Sequence, residues 1–252
     1  MTSKLLKIIR AVTGRDFSSK YCKTASSGLE VFSSPDDTRF AQIFSQHSGR
    51  FVAKWDQYLP VYDDYIGGAL EIFGPSLKLL EIGVFDGGSL ELWRKYLGND
   101  ATIFGIDIDP RCASLFDPPN QVRIGSQDDP AFLDAIVDEM GGIQVVLDDG
   151  SHFGRHQEAS FKHLFPKLPD GGLYIIEDLH AAYWPLFEGG YRKAGTGIEM
   201  IKSLIDDMHH NYHDEKIGFS RSIASLHVFD SITVIQKRRP LRFRSCNAGK
   251  KE

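Results

Sequence analysis

From Leu79 onward the chain alternates short apolar runs with longer segments of helical period. The runs LLEIGV, TIFGIDI, QVRIG, IQVVLDD and GLYIIED, the first starting at Leu79 and the last ending at Asp178, have strand length. They are nearly continuous in apolar residues, as strands buried on both faces are. Between them, Leu90 to Leu97 and Ala131 to Met140 place apolar residues three and four apart and predict helices. Strands and helices in alternation predict right-handed β-α-β units, a mostly parallel sheet, and helices on both of its faces. A further helix is expected from Gly197 to His209. IASLHVF and ITVIQK follow, separated only by Asp230 and Ser231, and predict an antiparallel hairpin at one edge of the sheet.

The ends of the chain read differently. Residues 1–50 are expected to form a helical arm or cap, with Leu5 to Val12 as a short amphipathic helix and a secretory signal as its alternative. This arm is a candidate for capping the site or for homo-oligomer contacts. Residues 51–240 form the expected catalytic domain. The last residues, 241–252, form a basic tail that reads as solvated rather than as a binding arm. At 252 residues, one main domain is the expectation.

Composition narrows the partners. A net charge of -5, from 34 acidic and 29 basic residues, argues against a general nucleic-acid or membrane-surface binder. Cys22, Cys112 and Cys246 are odd in number and lack C-x-x-C spacing, so a reducing, cytoplasmic setting is expected, without a disulfide framework or zinc cluster. No run approaches the roughly 20 apolar residues of a membrane span.

The candidate chemistry lies at the strand ends, because ligands of open parallel sheets bind outside the carboxyl ends of the strands. Acidic residues recur there: Glu81, Asp107 with Asp109, Asp148 with Asp149, and Glu177 with Asp178. The loop Glu81 to Ser89 is glycine-rich, and Gly83 allows a close backbone approach to a ligand. Its spacing is neither G-x-G-x-x-G nor a P-loop, which disfavours a pyrophosphate. Asp107, about 20 residues beyond the loop, is placed to accept hydrogen bonds from ribose hydroxyls. Glu81 suits the positive charges of S-adenosylmethionine better than the anionic phosphates of NAD. The turn SQDD, with Gln127 and Asp128, is expected to reach the adenine, and Asp148 completes the expected cofactor set. Asp149, Glu177 and Asp178 can converge on one hard cation such as Mg²⁺ or another divalent ion, with His152 close enough to act as a base.

The segments LEIGVFDGGSLELW, GIDID, GSQDDPAFL, VVLDDGSHFGRHQ, LPDGGLYIIEDLHAAYWP and LHVFDSITVIQK, with KWDQYLPVY before them, resemble the metal-dependent sugar O-methyltransferases of macrolide and related antibiotic biosynthesis. The resemblance covers about Lys54 to Lys237, and the DDGSH and IED blocks carry it most specifically. It implies the Rossmann-like class I methyltransferase fold with a seven-stranded sheet. It also implies S-adenosylmethionine as methyl donor, Mg²⁺ held by Asp149, Glu177 and Asp178, and His152 as general base. The expected acceptor is a small molecule bearing a hydroxyl group, glycosylated, with Tyr183, Trp184 and His156 against it. The chain departs from the family pattern at His180, where Gln is usual, and at Ala181 and Ala182, where Thr-Ser is usual; all three lie on the loop expected to face the acceptor. A catechol-type phenolic O-methyltransferase, an NAD-dependent dehydrogenase and a non-catalytic cofactor-binding module are the alternatives.

Overall fold

A computed structural model describes residues 38–115, 118, 120–240 and 245–249. The expected Leu5 to Val12 helix, Cys22, and most of the basic tail lie outside the described residues. All seven expected strands form: β1 (Lys78–Ile82), β2 (Thr102–Asp107), β3 (Gln121–Ile124), β4 (Val145–Asp148), β5 (Leu173–Ile176), β6 (Ile223–Val228) and β7 (Thr233–Lys237). They make one sheet in the order β3-β2-β1-β4-β5-β7-β6. Pairing is parallel from β3 to β5; β7 runs antiparallel to β5 and β6 antiparallel to β7, as the hairpin reading required.

The helices are α1 (Arg39–Ser45), α2 (Tyr58–Val61, continuing as π-helical Tyr62–Gly67 and then Gly68–Phe73), α3 (Gly88–Leu97), α4 (Pro130–Met140), α5 (Gly154–Leu164) and α6 (Gly197–Met208). Local sequence sets their starts. Asp129 accepts from the amides of Ala131 and Phe132 ahead of Pro130, and the Thr196 side chain accepts from Glu199.

Strand parity divides the core in two. Leu79, Leu147 and Ile175 face α1, α2 and α3, where Tyr62 packs edge-to-face with Phe40 and Trp93, and Phe40 lies tilted against Trp93. Leu80, Val146 and Tyr174 face α4, α5 and α6, against Leu133, Phe161 and Leu204. Because Phe40 is fully buried in the first layer, the packed unit starts before residue 50, where the arm was expected to end. Cys112 is buried and Cys246 exposed. Among the described residues, no helix is long and apolar enough to cross a membrane.

Candidate functional site

The sheet register brings Ile106, Ile82, Asp148 and Ile176 to one level on four neighbouring strands. The chain leaves the sheet just beyond each of them, and a cavity of about 550 Å³ opens along this edge. Gly83, Asp107, Gln127, Asp149, His152 and Asp178 line it. That volume lies within the range of small-molecule and cofactor sites.

The glycines of the first loop serve the chain's own backbone. Gly83 has φ 96°, and a Cβ there would stand 2.1 Å from the Asp149 carbonyl oxygen. A Cβ on Gly88 would meet the Arg50 and Phe51 carbonyls at 2.4 and 2.5 Å. The β1 and β4 loops can therefore touch, and residues 50–51 can cross the start of α3. Asp107 braces the same loop: its Oδ2 accepts from the amides of Val84 at 2.9 Å and Phe85 at 3.0 Å, and its Oδ1 from Asp109 at 2.8 Å. It still lines the cavity.

The remaining residues expected to bind cofactor separate into lining and support. Gln127 lines the cavity while its amide clamps the β4 loop, accepting from Ser151 N at 2.9 Å and donating to Asp148 at 3.1 Å. Asp148 is buried beneath it, bonded to the hydroxyls of Ser160 and Tyr174, both at 2.8 Å. Burial raises its pKa, and the donors from Tyr174, Ser160 and Gln127 oppose the rise. Asp128 pairs with the Ser126 hydroxyl, which lowers its pKa, and stands 3.7 Å from His156 Nε2 rather than facing the cavity. Glu81 is also turned away. It shares the strand face of Leu79, is fully buried, and accepts from Ser89 at 2.9 Å. Desolvation pushes its carboxyl up to about 7.

Among the described residues, Asp149, His152 and Asp178 form a group able to hold a cation, each offering a ligand atom within 4.8 Å of the others. Carboxylate oxygens with one imidazole suit a divalent ion. His152 and Asp178 both hold left-handed backbone. The His152 ring packs on Phe187, and its Nδ1 is buried without a hydrogen bond among the described residues. Glu177 was expected in this group and sits outside it. Its side chain is 1% exposed, its Oε1 accepts from the Tyr62 hydroxyl at 2.7 Å, and its Oε2 from Lys54 Nζ at 2.7 Å. Burial pushes its carboxyl up to about 8, against the opposing charge of Lys54.

Lys54, Tyr58 and Tyr62 bond the acidic residues of this edge, and the strand-end reading missed them. Lys54 Nζ also bonds Asp149 Oδ2 at 2.6 Å, and the Tyr58 hydroxyl bonds Asp178 Oδ1 at 2.9 Å. A signal existed in KWDQYLPVY: one cation and two phenols at four-residue intervals, a spacing that stacks side chains on one face of a helix. Tyr62 opens the π-helical part of α2, a distortion often found at functional sites.

No protein-family model matches the chain. The 8-demethyl-8-alpha-L-rhamnosyl tetracenomycin-C 2'-O-methyltransferase of Streptomyces olivaceus is 35% identical over 176 residues, 65% of this chain and 46% of the relative. The mycinamicin VI 2''-O-methyltransferase of Micromonospora griseorubida is 32% identical over 241 residues, 87% of this chain and 58% of the relative. A solved structure of MycE methyltransferase from the mycinamycin biosynthetic pathway, in complex with Mg, SAH and mycinamycin VI, superposes with TM-score 0.70 at 32% identity. That match covers 80% of this chain and 54% of MycE. The chain is a relative of these sugar O-methyltransferases. It has their class I methyltransferase fold, and it spans about half the length of the curated relatives it matches.

In this sugar O-methyltransferase relative, the wall beyond Asp178 is aromatic. His180 lies edge-on between Trp55, at 5.5 Å between ring centroids, and Trp184, at 4.6 Å. Burial lowers the His180 pKa, and its Nδ1 meets the Ser231 hydroxyl. The loop is bonded to itself, from Trp184 N to the Ala181 carbonyl and from Gly190 N to the Ala182 carbonyl. Tyr183 is nearly half exposed and lies off the cavity lining. Trp184 also stands outside that lining, against His180 and Phe187. His156 lines the cavity and is oriented by Ser151 Oγ, 2.8 Å from its Nδ1.

Proposed function

We propose that this chain transfers a methyl group from S-adenosylmethionine to a hydroxyl of a sugar or glycosylated natural product, with Mg²⁺ or another divalent ion as cofactor. One observation carries the reading: the Asp149, His152 and Asp178 group lines the same cavity as Asp107 and Gly83, so a cation site adjoins a cofactor-sized cleft. Sugar O-methyltransferase relatives, and a MycE complex containing Mg, SAH and mycinamycin VI, support it.

When bound, the donor supplies an electrophilic methyl group and the cation supplies Lewis acidity. The chain's own residues do the rest. Asp107, fixed by three backbone amides, would accept from ribose hydroxyls, and Ser126 and Gln127 flank the neighbouring part of the cleft. Asp149 and Asp178 would hold the cation. His152, whose Nε2 stands at the same edge 3.8 Å from Asp178 Oδ2, would accept the hydroxyl proton, a role that imidazole suits. Trp55, His180 and Trp184 offer the acceptor ring faces and edges beside Asp178, and Phe187 closes the cavity on that side.

The test is methyl transfer from labelled S-adenosylmethionine to a panel of glycosylated metabolites, with Mg²⁺ and with EDTA. Transfer to a sugar hydroxyl that depends on the ion is the expected result. Preferential transfer to catechols, or stabilisation by NAD in place of S-adenosylhomocysteine, would overturn it.

A further inference from the structure

The Lys54 side chain is 4% exposed, and its ammonium is shared between two carboxylates from neighbouring strands. Asp149 therefore belongs to two arrangements: the three-donor group with His152 and Asp178, and the ion pair with Lys54. Glu177 is wholly committed to the second. Its oxygens are taken by Lys54 and Tyr62, which leaves it turned from the cavity although it neighbours Asp178 in sequence. An ammonium and a divalent ion seek the same oxygens, and two positive charges within a few ångströms of each other repel strongly where water is scarce.

We propose that Lys54 is a built-in competitor of the divalent cation, a positioning residue whose ammonium holds Asp149 and Glu177 together, lowers the affinity of the site for the ion and limits the number of carboxylates that reach it. This rests on the reading of Asp149 and Asp178, beside His152, as the residues that would hold the cation. In the ion-free protein Lys54 keeps the clustered acids compensated and ordered. It also makes ion binding weaker than the acidic content of the edge would give. A purely structural Lys54 would act in the opposite direction, because its loss would disorder Asp149 and weaken the site.

The experiment is titration of the full chain with Mn²⁺, followed by electron paramagnetic resonance, beside calorimetric binding of S-adenosylhomocysteine. Lys54→Met should bind Mn²⁺ more tightly than wild type, on the order of tenfold or more, from the lost repulsion. Its spectrum should also change as Glu177 joins the ligands. Lys54→Gln removes the charge yet can still donate to both carboxylates, so it should tighten binding too and serves if Lys54→Met fails to fold. Lys54→Arg keeps the charge and should stay near wild type. Unchanged or weaker Mn²⁺ binding in the Met and Gln variants, with S-adenosylhomocysteine binding intact and Asp149→Asn abolishing the ion, overturns the competitor role and leaves the cation reading standing. Absence of Mn²⁺ binding in the wild type and every variant overturns both.

Discussion

His152 Nε2 lies 3.8 Å from Asp178 Oδ2, and both residues hold left-handed backbone, φ 59° and 54°. A side chain other than glycine in that region costs about 1–2 kcal/mol. Two turns of this kind, after β4 and after β5, aim their side chains at one point, so local strain is spent on convergence. The first prediction separates the ring from its backbone. His152→Ala and His152→Gly should both lose activity by roughly 10²- to 10⁴-fold, as removal of a general base does. His152→Gly should resist denaturant better than His152→Ala, by about 1 kcal/mol, because glycine adopts that backbone freely. Equal stabilities would show that the turn is not strained; an active His152→Gly would call for another base, with His156 first.

Asp178→Asn keeps the side-chain shape and the acceptor for Tyr58, and removes one negative charge from the cation group. Methyl transfer should collapse and recover in part with excess Mg²⁺, while calorimetric S-adenosylhomocysteine binding persists. Full wild-type turnover after confirmed metal removal would sink the cation assignment.

Asp107→Ala removes acceptors from three loop amides as well as the ribose partner. Stability should fall by about 1–3 kcal/mol in chemical denaturation, the cost of stranded donors, and cofactor affinity should fall with it. If affinity is unchanged, Asp107 is a loop brace and nothing more.

Glu81 gives stability a pH dependence. Desolvation raises its folded-state pKa from an ordinary value near 4.5 to about 7, with Lys54 and Ser89 opposing the rise. The folded state therefore binds its proton more tightly than the unfolded state does. The stability it contributes is fully present below about 4.5 and is lost as pH rises to about 7. Glu177, raised to about 8, acts in the same direction. Thermal unfolding of Glu81→Gln beside wild type should show a smaller loss of melting temperature between pH 5 and 7.5 in the variant. Parallel curves would show that Glu81 stays charged throughout.

Trp55 and Trp184 flank His180 outside the cofactor cleft. Substituting either by Ala should raise the acceptor KM and leave S-adenosylhomocysteine affinity nearly unchanged. A variant that loses only thermal stability would mark its tryptophan as packing.

The strands were legible because each is buried on both faces, so its apolar run needs no context to be read. The edge of the sheet was legible for the same reason. What the runs did not convey is which way each acid turns beyond them, although strand parity carries that information. Glu81 shares the face of Leu79 and Glu177 that of Ile175, so both project toward the layer of α2 and α3, into Tyr62, Ser89 and Trp93. Asp148 shares the opposite face, with Val146 and Tyr174. The withdrawal of Glu177 also depends on Lys54, 123 residues earlier, and no spacing rule within the DDGSH and IED blocks reaches that far.

The donors from Lys54, Tyr58 and Tyr62 all arise before the first strand, in a stretch that contributes nothing to the sheet. The acidic edge and its restraint are thus separate pieces of sequence that work as one unit. Moving the β4 and β5 loops onto another scaffold of the class I methyltransferase fold would carry the carboxylates but leave behind the ammonium and phenols that orient them. A graft that keeps the orientation of those acids has to include residues 54–62, because Lys54, Tyr58 and Tyr62 supply the hydrogen bonds that fix Asp149, Glu177 and Asp178.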